Sequence, residues 1–288
     1  MIANSDYQSM PRNFWAYIRT ISQKCGYTQR ANKKEPNSVP QVKIPSIDEV
    51  RAALESLGLS DSEIYDKGDL TDFGRTIIGY FHYRANILND YVRPRLMDKH
   101  RAKEVFDTLK EDLNPSCPLP MNKQKGDKKA NSFFTCIINM LVESELGGAA
   151  CDYDPRQLTT VTHDGKPLRT LARRVDGAFP SPVNPKAIWE IKEYYYTTTF
   201  GSRVADGVYE TLLDGMELVE LNESEGRKVK HYLMIDDYFT WWDCGRSYLC
   251  RIIDMLHMGY VDEVLFGYEV VERIPEIVSG WSNLNDYK

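Results

Sequence analysis

The stretch RRVDGAFPSPVNPKAIWEIKE, Arg173 to Glu193, sets Asp176 fourteen positions before Glu190 and places Lys192 two positions after that glutamate. Two carboxylates offer hard oxygen ligands of the kind a magnesium-sized ion takes. An ammonium beside them is a compact positive charge able to orient water or to offset developing anionic charge. The set suits metal-assisted hydrolysis, provided that the chain brings its members to one place.

The local pattern predicts that it does. Leu171, Arg173 and Val175 alternate with Ala172, Arg174 and Asp176, and Gly177 and the loop PSPVNP break the run before Ala187 to Ile191 resumes as a strand. Side chains at i and i+2 share a strand face, so Ile188, Glu190 and Lys192 project together while Trp189 and Ile191 face the other way. If the two strands pair, Asp176 approaches Glu190. Taken alone, an Asp-Gly at a strand end reads as a turn and a Glu-x-Lys as a solvated surface pair. The apolar flanks and the predicted neighbouring strands favour the chemical reading.

The chain has 288 residues, 42% of them hydrophobic, enough to bury a substantial core as one large domain or two smaller ones. No run of about 18 apolar residues suggests a membrane span, and the start, MIANSDYQSMPRNFW, lacks the basic-then-apolar plan of a signal peptide, so a cytoplasmic location with no membrane partner is expected. Six cysteines without a CxxC pair read as reduced thiols, and five histidines without ligand spacing argue against zinc. The net charge of −6 is uneven: residues 1–200 carry 28 Lys and Arg against 25 Asp and Glu, and residues 201–288 carry 8 against 17. A polyanion-binding surface therefore belongs to the first two thirds.

Three regions separate along the chain. Residues 1–45 hold a short helix, NFWAYIRTISQKC, and a polar stretch, TQRANKKEPNSVPQVKIP, that reads as an arm or linker. Residues 46–120 read as helical, opening with a capping box of Ser46 and Glu49. In residues 121–288 the order is a helix at about 129–146, a strand at 157–162, a turn at HDGK, a long strand at 167–178, the strand of Glu190, a helix at about 203–221, the strand KVKHYLMID, the helix CGRSYLCRIIDMLHMG and a final strand DEVLFGYEV. This αβββαβαβ order predicts an α/β fold with a mixed sheet and helices packed on it.

That order, with Asp176 on the second strand and Glu190-Ile191-Lys192 on the third, resembles the PD-(D/E)XK nuclease superfamily over roughly residues 125–270. The resemblance implies a restriction-endonuclease-like αβββαβ core in residues 121–288 with a C-terminal tail, and makes residues 46–120 a region for DNA recognition or dimerisation. It implies an endonuclease that hydrolyses DNA phosphodiester bonds, most like a type II restriction enzyme acting as a homodimer on double-stranded DNA. A structure-directed or repair nuclease, or a non-catalytic DNA-binding protein, is the alternative. Asp176, Glu190 and Lys192 would be catalytic. Asp176, Glu190 and the Ile191 carbonyl would hold Mg2+, for which Mn2+ could substitute.

Two departures from the pattern stand out: Val175 occupies the usual proline position, and the first core helix has Asn131 where many members carry an acid. On a helical wheel Glu145 falls on the apolar stripe of Phe134, Ile138 and Leu141, and Glu143 points away. The helix acid stays unassigned among Asn131, Glu143 and Glu145. Around the site, the hydroxyls and Arg203 of EYYYTTTFGSR could meet phosphate at a helix start; the alternative is that Ser202 caps the helix and the tyrosines pack or hydrogen-bond at the surface. At least one of Arg169, Arg173 and Arg174 is expected to serve DNA, and Trp241 and Trp242 are expected in the core rather than on bases.

Overall fold

In a computed structural model of the 288-residue chain, the described residues are 1–8, 10–31, 34, 38–122, 130–196, 201–281 and 284. Helices α1 (Arg12–Cys25), α2 (Ile47–Ser56) and α3 (Asp72–Asn86) bury a small core of their own around Phe14, Ile18, Leu54 and Tyr80. The capping box forms as expected: the Ser46 hydroxyl accepts from the Glu49 N–H and the Glu49 carboxylate accepts from the Ser46 N–H. The arm predicted after α1 folds back on itself, Thr28–Gln29 pairing antiparallel with Gln41–Val42. Helix α3 runs on into a π-helical stretch, Ile87–Val92.

Helix α4 (Lys99–Leu113) packs with α5 (Phe133–Leu146), bringing Phe106 against Phe133. The predicted helix start near Lys129 lies outside the described residues. Strands β1 (Thr160–His163) and β2 (Lys166–Thr170) form a hairpin whose turn, Asp164-Gly165, takes φ of 49° and 73°, the two positive values that such a tight turn requires.

The long strand expected at 167–178 is instead interrupted. It ends at Thr170 and resumes only as β3 (Gly177–Phe179), because the chain after Thr170 takes its backbone partners elsewhere. The Leu171 N–H donates to the Thr159 carbonyl and the Ala172 N–H to the Glu217 carboxylate.

The main sheet comprises β3, β4 (Ala187–Glu193), β5 (Lys230–Asp236) and β6 (Glu263–Phe266), in that spatial order. Strand β3 is antiparallel to β4, with Gly177 opposite Trp189. The pairs β4–β5 and β5–β6 are parallel, and each parallel pair is bridged by a crossover helix: α6 (Ser202–Glu225) for β4–β5 and α7 (Arg246–His257) for β5–β6. Helices α4, α5 and α8 (Glu269–Trp281) cover the face bearing Trp189, Met234 and Leu265, while α6 and α7 cover the face bearing Leu233, Ile235 and Val264. Burial on both faces accounts for the nearly unbroken apolar run of β5.

Helix α8 corrects the expectation of a strand through Val270 and a tail beyond it. The strand stops at Phe266, where Gly267 takes φ of 52° and the chain turns into a helix that contains Pro275. Among the described residues no helix is long and apolar enough to cross a membrane, and all six cysteines are free.

Candidate active site

Glu190 and Lys192 project from β4 toward α6, and Asp176 comes to them from the residue before β3. The Asp176 N–H donates to the Trp189 carbonyl at 3.1 Å, and its Oδ2 accepts from the Ile191 N–H at 2.7 Å. Asp176 therefore sits at the mouth of the β3–β4 pair rather than within a strand as the sequence suggested. Gly177 makes this possible by close approach, not by turning: a Cβ there would lie 2.0 Å from the Trp189 indole.

Lys192 Nζ lies 2.8 Å from Glu190 Oε2 and 3.6 Å from Glu210 Oε2. Gly207 on α6 leaves the room, since a Cβ there would come within 3.2 Å of Lys192 Cδ. Arg173 turns inward to the same cluster. Its Nη1 is 2.9 Å from Glu190 Oε1 and 2.7 Å from Asp214 Oδ2, and its Nη2 is 3.3 Å from Glu210 Oε2.

Asp176, Glu190, Glu210 and Asp214 thus surround two cations. Glu190 and Asp214 side chains are fully buried, and Asp214 Oδ1 has no hydrogen-bond donor among the described residues. Burial and the neighbouring Glu190 carboxylate push Asp176 up to about 6 and Asp214 up to about 7. Burial alone would raise Glu190 too, but Lys192 and Arg173 outweigh it and hold the carboxyl below its ordinary value. Lys192 is raised, its burial being overcome by the Glu190 and Asp176 carboxylates.

On the opposite face of β4 a cleft of about 430 Å³ opens, lined by Asp176, Ile191, Glu193, Thr135, Tyr196 and Arg203. Asp176 therefore belongs to both the charged cluster and the cleft. Glu193 accepts from the Thr135 N–H at 2.8 Å at the start of α5, and burial pushes it up to about 7 against those hydrogen bonds.

The three residues Asp176, Glu190 and Lys192 singled out by spacing come together, with Ile191 between them. The α5 residues do not join them. Asn131 donates to the Leu119 carbonyl, Glu143 accepts from the Ser116 N–H and hydroxyl, and Glu145 is exposed instead of facing the core as the wheel suggested. Its stripe ends one turn earlier, at Val142. Ser202 does not cap α6 through its side chain, because Gly201 holds the cap position.

Tyr194, Tyr195 and Tyr196 hydrogen-bond to the Arg203 carbonyl, Asp236 and the Asn131 carbonyl respectively, and 197–200 of the same stretch lie outside the described residues. Arg169 pairs with Glu220, Arg174 is exposed, and Trp241 and Trp242 are buried.

The sequence reading missed Glu210, Asp214 and Glu193. Asp214 had a signal: it lies three residues after Thr211 and four before Leu218, on the buried stripe of α6, where an acid requires a partner. Among the described residues no three acidic, histidine or cysteine side chains are grouped as ligands for one metal ion. The donor chemistry nonetheless suits one oxygen-seeking divalent ion, because the cluster has more carboxylates than cations and leaves the buried Asp214 Oδ1 without a donor. Mg2+ commonly takes one or two protein carboxylates and completes its shell with water and phosphate.

Residues 97–281 match a family described as a domain of unknown function (DUF7687), and residues 1–91 match a second, a domain of unknown function (DUF7690). No curated protein and no solved structure matches the chain.

Proposed function

The chain belongs to the DUF7687 family, and since that description names no activity we propose, from the site alone, a Mg2+-dependent endonuclease of PD-(D/E)XK type that hydrolyses DNA phosphodiester bonds. The observation that carries this reading is the meeting of Asp176 with Glu190 and Lys192 at an antiparallel strand pair, followed by a crossover helix and a parallel strand. The reading rests on β3, β4, α6 and β5, since β1 and β2 form a separate hairpin outside the main sheet.

Asp176 and Glu190 would hold the metal, with the Ile191 carbonyl as a further ligand and Mn2+ as a substitute. Bound there, the ion would acidify a water and offset charge on the phosphate. Lys192, kept protonated by its carboxylate neighbours, orients the attacking water and stabilises the charge that develops on the phosphate oxygens. Asp176 lines the cleft through which DNA would approach. Arg173 keeps Glu190 ionised and fixed, and Arg203 at the cleft edge supplies a phosphate contact.

The role we assign is a type II restriction endonuclease working as a two-fold dimer, since both strands of a palindrome require two symmetry-related sites. Unmethylated plasmid incubated with the protein and Mg2+ should give discrete fragments, and Ca2+ should support binding without cutting. A smear, or cutting confined to branched or mismatched DNA, would indicate a structure-directed or repair nuclease. Cutting at full rate in excess EDTA would refute the metal mechanism.

A second reading has one observation in its favour. Glu190 is closed from solvent with Arg173 and Lys192 on its two oxygens, an arrangement that also suits a DNA-binding protein without turnover. Retained DNA affinity with no cutting in Mg2+ or Mn2+ would establish it.

A further inference from the structure

A second cavity, of about 390 Å³, lies where the two family-matched segments meet: Arg19, Gln23 and Tyr27 come from the first segment, and Tyr209, Leu212 and Arg251 from the second. Its size falls in the range of small-ligand sites, and junctions between chain regions are where such sites concentrate. The charges in its wall do not balance. Asp254 also lines it, but that carboxylate is already engaged by Arg84 at 3.0 Å and by the Tyr80 hydroxyl at 2.7 Å. Arg19 Nη2 meets only the Met258 thioether, at 3.2 Å, and among the described residues neither Arg19 nor Arg251 forms a salt bridge.

Arg251 is held in place by rings instead, its guanidinium 4.8 Å from the centroids of both Tyr27 and Tyr248. The cavity thus combines two uncommitted guanidiniums with tyrosine faces and the apolar side chains of Val208, Leu212 and Met255. Guanidinium forks pair with the oxygens of phosphate two at a time, as they do with carboxylate, and aromatic walls favour a planar ring.

We propose that this cavity binds a phosphorylated nucleoside, the phosphate between Arg19 and Arg251 and the base against Tyr209. The ligand is either a free mononucleotide or the phosphorylated end of a single strand. Helix α6 borders this cavity through Val208 to Leu212 and the active-site cluster through Glu210 and Asp214, so that the two sites share one rigid element.

The test is binding to the full chain, independent of any nuclease activity. Calorimetric titrations would compare the four ribonucleoside 5′-monophosphates, adenosine, inorganic phosphate and a 5′-phosphorylated tetranucleotide. At least one monophosphate or the tetranucleotide should bind tenfold or more tightly than adenosine and phosphate, and which of the two does so identifies the source. Arg19→Ala should weaken that binding at least fivefold, and Arg19 is exposed, so the variant retains its fold. Tyr209→Ala, also exposed, should weaken it while sparing inorganic phosphate. Binding no tighter than that of phosphate alone, or unchanged in both variants, would overturn the proposal.

Discussion

Two buried ionic clusters, both made by an arginine reaching across elements, differ in a way that separates structure from chemistry. At the junction of α3 and α7, Arg84 Nη1 lies 3.0 Å from both oxygens of Asp254, Tyr80 donates to the same carboxylate, and Ser22 accepts from Nη2 at 2.9 Å. One cation meets one anion there, and both are almost wholly buried. At the sheet, Arg173 and Lys192 face Asp176, Glu190, Glu210 and Asp214. The first cluster is closed and joins two chain regions. The second carries excess negative charge that folding alone would not favour, and perturbed groups of that kind gather at functional sites.

The largest effect that sharpens this contrast is catalytic. Lys192→Ala should bind DNA nearly as well as the parent chain yet lose on the order of 10²-fold or more in cleavage rate, as expected for a group that acts on the transition state. An equal loss of DNA affinity, measured by filter binding or anisotropy, would make Lys192 a phosphate anchor.

Next comes the closed cluster. Arg84→Ala leaves Asp254 buried and unpaired and should cost about 3–5 kcal/mol in denaturant unfolding. A loss near zero would remove the distinction between the clusters.

Third, the open cluster should show in the pH dependence of stability. Asp176 and Asp214 have folded values of about 6 and about 7, above their unfolded value of 3.8, so between about pH 4 and pH 7 the native state binds more protons than the unfolded one. Stability contributed by these groups is therefore present at the acid end and declines as pH rises through that window, by on the order of 1–3 kcal/mol. Asp214→Asn should flatten the decline, and Ca2+ should offset it at pH 7.5 if the cluster takes a divalent ion. A rise in stability over the same window would contradict the charge count.

The smallest effect is packing. Gly177→Ala, whose new Cβ would overlap the Trp189 ring, should cost about 1–3 kcal/mol, seen as a lowered thermal midpoint.

Much of the fold was legible where pattern is local. The Ser46 capping box, the Asp164-Gly165 turn and the buried run of β5 each depend on a few adjacent residues, and each forms. The failures share a cause. Residues 171–176 have strand-like alternation, but the Thr159 carbonyl and the Glu217 carboxylate on α6 take the N–H groups of Leu171 and Ala172, partners that no window of sequence displays. Helix α8 was hidden because Gly267 turns the chain two residues before the helix begins and Pro275 sits inside it.

At the site, Asp176, Glu190 and Lys192 could be read because strand alternation fixes the Glu-x-Lys face. Arg173 could not be placed, since its inward turn depends on Asp214 lying 41 residues away. Glu145 was misplaced because a wheel assumes that full burial continues to the helix end, and here the fully buried positions stop at Val142.

Cleavage of plasmid DNA by the parent chain and by Asp176→Asn, side by side in Mg2+ and with folding checked by circular dichroism, bears most directly on the claim that the overcharged cluster is a hydrolytic metal site. Asn keeps the shape of Asp176 and can still accept from the Ile191 N–H while removing the charge. The parent should cut in Mg2+ and not in EDTA, and the variant should stay folded and lose on the order of 10³-fold in rate. Equal cutting by the two proteins, or none by either in Mg2+ and Mn2+, would contradict it.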